Sequence, residues 1–207
     1  MSTERMAAMS IAVMFGGNGY IGRNTTKVWM KRDPEAVFYV VSRSGKNQLQ
    51  DKRVINIKAD VTSAEDVRAK LPEHVDYFVN FVGCAAVPKG STKTLEELNL
   101  EPAKVCRELA ESYHAKAMGA IGGKLGSRAF TASKKAMLDY LRESSIPTEA
   151  VEPTLVIGDG RKDSLTRMVP LLKFLGSFNR NFRPVQVEEV AEELTAKMLR
   201  HEGEKNR

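Results

Sequence analysis

Cysteine, tryptophan and long apolar runs are scarce in this sequence, and each scarcity excludes a class of protein. The 207 residues include two cysteines and one tryptophan. Cys84 and Cys106 lie in different predicted elements without the spacing of metal ligands. We therefore expect two free, buried thiols in a reducing environment and no metal site. No apolar run approaches the roughly 18–20 residues that cross a bilayer, so we expect a cytoplasmic protein without a transmembrane segment.

Aromatic residues are few, and the excess of positive over negative charge is modest. Aromatics make up 7% of the residues, and the formal net charge is +6. The lysines and arginines are scattered among acids, with no basic block and no interleaved aromatics, which argues against a nucleic-acid partner. A chain of this length can bury a sizeable core. We predict one domain over residues 1–207.

Short apolar runs alternate with helical patterns along most of the chain. The predicted strands cover 11–15, 36–41, 53–60, 76–83, 116–123 and 147–153. The first predicted helix runs from the glycine turn to about residue 31. The other predicted helices cover 62–71 with a cap at 62 or 63, 94–114 with an interruption around Pro102, and 130–144. One or two helices are predicted within 164–178, and a short strand leads into a closing helix within 183–200. This alternation predicts an α/β fold with a mostly parallel sheet and helices on both faces.

A glycine-rich turn, "FGGNGYIG", joins the first predicted strand to the first predicted helix. Gly16, Gly19 and Gly22 enclose Tyr20 and Ile21 in the pattern G-x-x-G-x-x-G. Glycines in this place allow a tight turn and let a pyrophosphate approach the amides at the helix N-terminus. The pattern therefore favours a dinucleotide site, with a purely structural turn as the alternative.

The end of the second strand, "VVSRSGK", indicates which dinucleotide is bound. NAD binders commonly place an acid here to accept a hydrogen bond from the ribose 2′-hydroxyl. This sequence has Arg43 between Ser42 and Ser44, a set suited to a 2′-phosphate through charge-assisted hydrogen bonds. We therefore expect NADP(H) to be preferred over NAD(H). The alternative is an ordinary basic loop.

Several ordered segments together resemble the short-chain dehydrogenase/reductase superfamily, particularly its atypical and extended NAD(P)-binding branches. "KADVTSAEDV" resembles the third strand and its helix, so Asp60 and Val61 would flank the adenine. "VNFVG" resembles the strand end beneath the cofactor, with Val82 and Gly83 as cofactor contacts. "SKKAMLDYLRESSIPTEAVEPTLVIGDGR" resembles the active-site helix, the sixth strand and a proline turn at Pro153. The resemblance covers nearly the whole chain and implies a Rossmann-type, doubly wound fold with a small C-terminal substrate lobe.

The catalytic motif of that superfamily is incomplete in this sequence. The superfamily uses Tyr-x-x-x-Lys, in which the lysine binds the nicotinamide ribose and lowers the pKa of the proton-donating phenol. Here Lys134 is present, but Phe130 occupies the tyrosine position, and Gly122 or Gly123 replaces the usual serine. Lys134 is then expected to act as a cofactor ligand. Possible substitutes for the missing hydroxyls are Ser127, Thr131, Ser133, Tyr113, Tyr140 and His114.

Two kinds of function remain compatible with the sequence. One is an NADP(H)-dependent reductase that passes hydride to a flavin, a quinone or a similar conjugated acceptor, as the flavin and biliverdin reductases of the superfamily do. The other is a non-catalytic NADP(H)-binding redox sensor or assembly subunit. The partner is accordingly a small-molecule hydride acceptor or a protein, and the oligomeric state stays open.

The segment after Pro153 is expected to form the substrate side of the site. Residues 154–186 are predicted as a small lobe that either packs as a lid helix or offers an apolar surface to an acceptor, a partner or a membrane. Its apolar residues are Leu165, Met168, Leu171, Leu172, Phe174, Leu175, Phe178 and Phe182.

Overall fold

The computed structural model describes residues 9–158 and 184–202, which are built around a six-stranded sheet. The strand order is β3-β2-β1-β4-β5-β6, and every neighbouring pair is parallel. This order is that of the doubly wound dinucleotide-binding fold, so the predicted α/β, Rossmann-type architecture is confirmed. The strands are β1 (Ile11–Phe15), β2 (Val37–Ser42), β3 (Val54–Lys58), β4 (Tyr77–Asn80), β5 (Ala117–Ile121) and β6 (Thr148–Val151).

Helices cover both faces of this sheet. They are α1 (Tyr20–Arg32), α2 (Ala64–Arg68), α3 (Leu95–Ser112), α4 (Arg128–Arg142) and α5 (Val187–Leu199). On one face, Trp29 of α1 and Leu194 of α5 pack with the sheet residues Phe38 and Tyr77. On the other face, α2, α3 and α4 bury a second apolar cluster against β1, β4 and β5. The sheet is therefore buried on both sides, as its apolar strands predict.

Helix α3 runs through Pro102, so the predicted interruption is wrong. A proline inside a helix removes one backbone hydrogen bond and costs about 3 kcal/mol. The helix continues because Ala103, Cys106 and Leu109 after the proline are fully buried, and Leu100 before it packs against the same apolar cluster. Its start is fixed by a capping box in which Thr94 and Glu97 exchange hydrogen bonds.

Two further local expectations are corrected by the structure. Helix α2 is five residues long rather than ten, with Ser63 as its cap. Cys106 is fully buried as expected, whereas Cys84 is only half-buried because it lies in the loop after β4. Among residues 9–158 and 184–202, no helix is long and apolar enough to cross a membrane.

The predicted C-terminal lobe is only partly covered by the described residues. A short parallel pair joins β7 (Val156–Ile157) to β8 (Val185–Gln186) and leads into α5. The predicted helices within 164–178 and the eight apolar residues named for this lobe lie outside the described residues. The extent of the lobe and the single-domain boundary remain predictions.

Candidate functional site

The candidate site is a crevice at the carboxyl ends of the parallel strands. From β1 the chain winds outward through β2 to β3, then returns to β4 on the other side of β1 and winds outward through β5 to β6. The winding direction therefore reverses between β1 and β4. Loops after these two strands separate there and leave a crevice, which is where ligands bind in open α/β sheets. The glycine turn follows β1 directly, and Gly83 ends the segment that follows β4.

The glycine turn is tightly packed at its first and last positions. Gly16 has a φ of +67°, and a Cβ there would lie 2.9 Å from Cγ2 of Val82. A Cβ at Gly22 would lie 2.6 Å from Cα of Gly17, because the first turn of α1 rests on the turn backbone. Gly17, which the motif analysis did not single out, is equally confined, with a Cβ position 2.6 Å from Cβ of Met14. Each of these glycines is required by the fold of the turn.

The middle glycine differs because it faces open space. A Cβ at Gly19 would approach only the carbonyl oxygen of Gly16, at 3.1 Å. Gly19 is also the N-cap of α1, where it provides no capping side chain, and the first turn of α1 contains no acid. The positive end of the helix dipole is therefore directed at the crevice without a carboxylate to neutralise it, which suits an anionic group.

Two adjoining cavities follow the crevice in opposite directions from the glycine turn. The inner cavity is about 620 Å³, the outer one is about 510 Å³, and both are lined by Gly16, Phe81 and Gly83. Predicted cofactor residues that line the inner cavity are Gly16, Gly19, Tyr20, Ile21, Gly22, Gly83, Lys134 and Pro153. Those that line the outer cavity are Gly16, Ser42, Arg43, Ser44, Val61, Val82 and Gly83. The crevice thus has the two-part form of a dinucleotide.

The outer cavity carries the basic strand end. Arg43 is exposed and pairs with no acid among the described residues, so its guanidinium is available to a ligand. The Ser42 hydroxyl accepts a hydrogen bond from the Gly45 N–H at 3.1 Å, and its own O–H can still donate to a phosphate. Asp60 does not line either cavity; its carboxylate accepts from Thr62, and these hydrogen bonds hold the pKa of Asp60 below its usual value.

The inner cavity contains a buried, unpaired lysine. Lys134, on α4, is only 8% exposed, and its Nζ makes no hydrogen bond or ion pair with any described residue. A Cβ at Gly83 would lie 2.6 Å from this Nζ, which shows how closely the ammonium approaches the strand-end loop. Burial lowers the pKa of Lys134 to about 8. Burial of an amine without a hydrogen-bond partner costs free energy. A ligand that accepts a hydrogen bond from this amine would offset that cost.

Two asparagines that the sequence analysis missed hold the loop beneath this cavity. Oδ1 of Asn80 accepts from the Val82 N–H at 3.0 Å. Asn99, fully buried on α3, accepts from the Cys84 N–H and donates to the Cys84 carbonyl, both at 3.1 Å. It also donates to the Ser133 hydroxyl at 3.2 Å. An asparagine on the buried face of an amphipathic helix was the available signal, because that residue type disfavours helix interiors.

The residue at the tyrosine position contacts the glycine at the serine position. The ring of Phe130 lies against Gly123, where a Cβ would be 2.7 Å from Cε1 and 2.8 Å from Cζ. A Cβ at Gly126 would meet the same ring at 2.6 Å. A serine at Gly123 would therefore collide with the phenyl ring in this arrangement. The contacts are made by ring carbons that phenylalanine and tyrosine share, so they concern the placement of the ring and not the missing hydroxyl.

None of the substitute hydroxyl or imidazole groups lines the inner cavity. Ser127 caps α4, and Thr131 and Ser133 donate to backbone carbonyls of the same helix. Tyr113 packs against Phe78, Tyr140 packs under the Arg107 guanidinium, and His114 is exposed in a turn. The polar or titratable side chains that do line the cavity are those of Lys134, Cys84, Tyr20 and Thr154. Among the described residues, no group of three or more His, Cys, Asp or Glu is placed to hold a metal ion.

The chain shares its fold with solved nucleotide-dependent proteins. ElxO with NADP bound is 15% identical at a TM-score of 0.66, over 96% of this chain and 93% of that one. UDP-glucose 4-epimerase from Thermotoga maritima is 13% identical at a TM-score of 0.69, over 91% and 73%. WbmG from Bordetella bronchiseptica, in complex with NAD, is 13% identical at a TM-score of 0.62, over 97% and 80%. At these identities the likeness concerns the fold.

Sequence comparison assigns the family. No curated protein sequence matches this chain significantly. The model of the NAD dependent epimerase/dehydratase family matches residues 12–125, more than half of the chain, from β1 through the loop after β5. That span includes the glycine turn, the basic strand end and the segment beneath the crevice. The chain belongs to the NAD dependent epimerase/dehydratase family.

Proposed function

We propose that this protein binds NADP(H) and passes hydride from it to a flavin, a quinone or a similar conjugated acceptor, without a catalytic tyrosine. The observation that carries the proposal is the continuous crevice, which has a guanidinium at one end, an open helix N-terminus in the middle and a buried ammonium at the other. These three groups match a 2′-phosphate, a pyrophosphate and a nicotinamide ribose. The bound cofactor would supply the hydride, and Lys134 would hold its ribose.

Arg43 supports the preference for NADP(H). Solved proteins of this fold hold either cofactor, since ElxO is solved with NADP and WbmG with NAD. The choice in this chain therefore depends on its own strand end, which carries Arg43 where NAD binders have an acid. An unpaired guanidinium can form two charge-assisted hydrogen bonds to a phosphate, whereas a ribose hydroxyl is uncharged and has a single oxygen to accept from it.

The walls of the inner cavity favour a flat, conjugated acceptor. Leu125, Phe130 and Leu155 make part of the wall apolar. A conjugated acceptor stacks well on such a surface and takes hydride directly when its position is fixed. A tyrosine-to-phenylalanine variant of ElxO, a protein of the same fold, is solved with NADPH bound.

The same substitution supports a second candidate function. Phe130 against Gly123 leaves the cavity without the tyrosine and serine hydroxyls used in alcohol–carbonyl chemistry. A protein that binds NADP(H) as a redox sensor or as an assembly subunit needs no such hydroxyls. The two functions differ in one measurable respect, which is consumption of the bound NADPH when an acceptor is added.

The first experiment is a fluorescence titration of the purified protein with NADPH and, in parallel, NADH. Arg43→Ala should weaken NADPH binding about tenfold or more, since a hydrogen bond to a charged group contributes about 1.5–3 kcal/mol and 1.4 kcal/mol is tenfold. NADH binding should change by less than about threefold. Arg68→Ala, an exposed arginine on α2 outside both cavities, is the matched control. Equal losses for both nucleotides would contradict the 2′-phosphate assignment.

The second experiment separates the two candidate functions. NADPH absorbance is followed after addition of flavin mononucleotide or menadione to the protein, against a protein-free blank. Saturable consumption above the blank supports the reductase. Tight NADPH binding with no consumption by either acceptor supports the sensor or assembly role.

A further inference from the structure

The inner cavity contains one cationic proton donor, and no described residue neutralises it. Lys134 is buried and unpaired, and Gly83 and Cys84 lie on the wall of the same cavity. Asn99 and Ser133, its polar neighbours, are committed to each other and to backbone groups. The lysine side chain is therefore free to interact with whatever enters the cavity.

The other proton-bearing groups on the cavity wall are less suitable. Burial raises the pKa of the Cys84 thiol, while the nearby Lys134 ammonium lowers it by a smaller amount. The Tyr20 hydroxyl is directed to the opposite wall, where a Cβ at Gly158 would lie 2.7 Å from it. The Thr154 hydroxyl is an aliphatic alcohol and a very weak acid. Phe130, at the tyrosine position, has no proton to give.

We propose that the Lys134 ammonium donates the proton that accompanies hydride transfer, and that the acceptor is a conjugated carbonyl of the quinone type. This inference rests on the proposed reductase function. The N–H bond of Lys134 breaks and an O–H bond forms on the carbonyl oxygen, while the acceptor gains two electrons as hydride from NADPH, which becomes NADP⁺. The neutral amine then takes a proton from water at the exposed Gly83 and Ala85 edge of the crevice.

The electrostatics of the cavity fit this role. The pKa of Lys134, about 8, leaves the amine mostly protonated at neutral pH and makes it a far better acid than an ordinary lysine. General acids work best when their pKa lies near the working pH. The oxygen of a reduced quinone is a modest base, so an ammonium of this strength can protonate it.

The first test measures the amine in the cofactor-free protein, independently of activity. The protein is labelled with ¹³C at the lysine ε-carbon, and the resonance absent from Lys134→Met is assigned to Lys134. We expect its shift to titrate with a midpoint near pH 8. A midpoint at about 10.4, the value of an ordinary lysine, would overturn the proposal whatever the enzyme reduces.

The second test separates proton donation from cofactor positioning. Enzyme saturated with NADPH is mixed in single-turnover experiments with menadione, whose reduction needs a proton, or with N-methylacridinium, a cation that becomes neutral on accepting hydride alone. Lys134→Met should slow menadione reduction about 100-fold or more, the usual scale of general acid catalysis. It should slow N-methylacridinium reduction far less, because at saturating NADPH only the positioning of the cofactor by Lys134 is lost.

Two further variants make the result decisive. Lys134→Arg keeps a cation and hydrogen-bond donors but does not release a proton, so it should lose menadione reduction as Lys134→Met does. Lys135→Met removes the neighbouring exposed lysine, which pairs with Asp139, and should leave both rates unchanged. If Lys134→Arg fails to fold, the two rates of Lys134→Met by themselves still distinguish proton donation from cofactor positioning.

Three outcomes would overturn the proposal. In the first, both acceptors slow equally in Lys134→Met at saturating NADPH, which would make Lys134 a positioning residue only. In the second, Lys134→Arg keeps menadione reduction. In the third, wild-type enzyme binds NADPH and reduces neither acceptor, which refutes the reductase function itself and this inference with it, while leaving the nucleotide site intact.

Discussion

Gly19→Ala should mainly weaken NADPH binding and Gly22→Ala should mainly lower stability, although the two glycines belong to one motif. Gly19 has an extended backbone, with φ −71° and ψ 176°, that any residue can adopt. A methyl group there meets only the Gly16 carbonyl oxygen, at 3.1 Å, and otherwise projects into the crevice. A methyl group at Gly22 would instead lie 2.6–2.8 Å from three backbone atoms of Gly17.

The size of each effect follows from these contacts. At Gly19, the reduced entropy of the unfolded chain stabilises the protein by about 0.4–1 kcal/mol, and the single close contact offsets part of this. We therefore expect a change in unfolding free energy within about 1 kcal/mol of zero. At Gly22 the backbone must move, and overpacking of this kind costs about 1–3 kcal/mol. For a chain of this size, that lowers the unfolding temperature by roughly 2–12 °C.

Thermal unfolding followed by circular dichroism, together with NADPH titration, measures both effects. Gly19→Ala should unfold within a few degrees of wild type but bind NADPH at least about tenfold more weakly, because its methyl group occupies the space nearest the helix N-terminus. Gly22→Ala should unfold at a clearly lower temperature. Wild-type NADPH affinity in Gly19→Ala would refute the assignment of this space to a pyrophosphate. Equal destabilisation by the two substitutions would refute the packing argument.

Two further predictions concern the thiols and one buried carboxylate. Iodoacetamide should alkylate Cys84 in the native protein, and NADPH should protect it, whereas Cys106, whose pKa burial raises to about 12, should react only after unfolding. Mass spectrometry of the two cysteine-containing peptides measures both reactions. If NADPH does not slow the alkylation of Cys84, this residue lies outside the occupied crevice. Burial alone would raise the pKa of Asp76, but hydrogen bonds and the Lys116 ion pair at 3.0 Å outweigh it and hold the pKa below its usual value. The folded-state pKa is thus lower than the unfolded one of about 3.9, so this stabilisation is complete above about pH 4 and is lost as the pH falls through the folded value. Asp76→Asn should lower the unfolding free energy at pH 7 by about 3 kcal/mol and flatten its acid dependence in urea unfolding; an unchanged acid dependence would contradict this.

Much of the fold could be predicted because its signals are local. The apolar runs at β1 through β6 are continuous and short, and each alternates with a helical pattern, which specifies a parallel sheet. The start of α3 was predicted at residue 94, and the capping box of Thr94 and Glu97 that fixes it joins residues only three positions apart. Pro102 misled the prediction because its local cost was visible in the sequence, whereas the burial of the apolar residues around it was not.

In the candidate site, too, the features that could be predicted are those with local signals in the sequence. The glycine turn and Arg43 were predictable because each lies at a strand end and acts through its own backbone or charge. Asn99 was missed because its role depends on a loop 15 residues away along the chain, whose backbone it holds. The contact of Phe130 with Gly123 could not be predicted either, because it depends on how the start of α4 packs on the loop after β5.

The sequence by itself determined the α/β class, the dinucleotide turn, the basic strand end and the absence of a tyrosine from the Tyr-x-x-x-Lys position. Those features follow from residue type and spacing along the chain. Only the tertiary structure decided which side chains face one another in the crevice. Lys134 became a buried, unpaired amine with a lowered pKa because α4, the loop after β4 and the glycine turn converge around it. Desolvation depends on what surrounds a group in space, and that is set by the packing of distant segments.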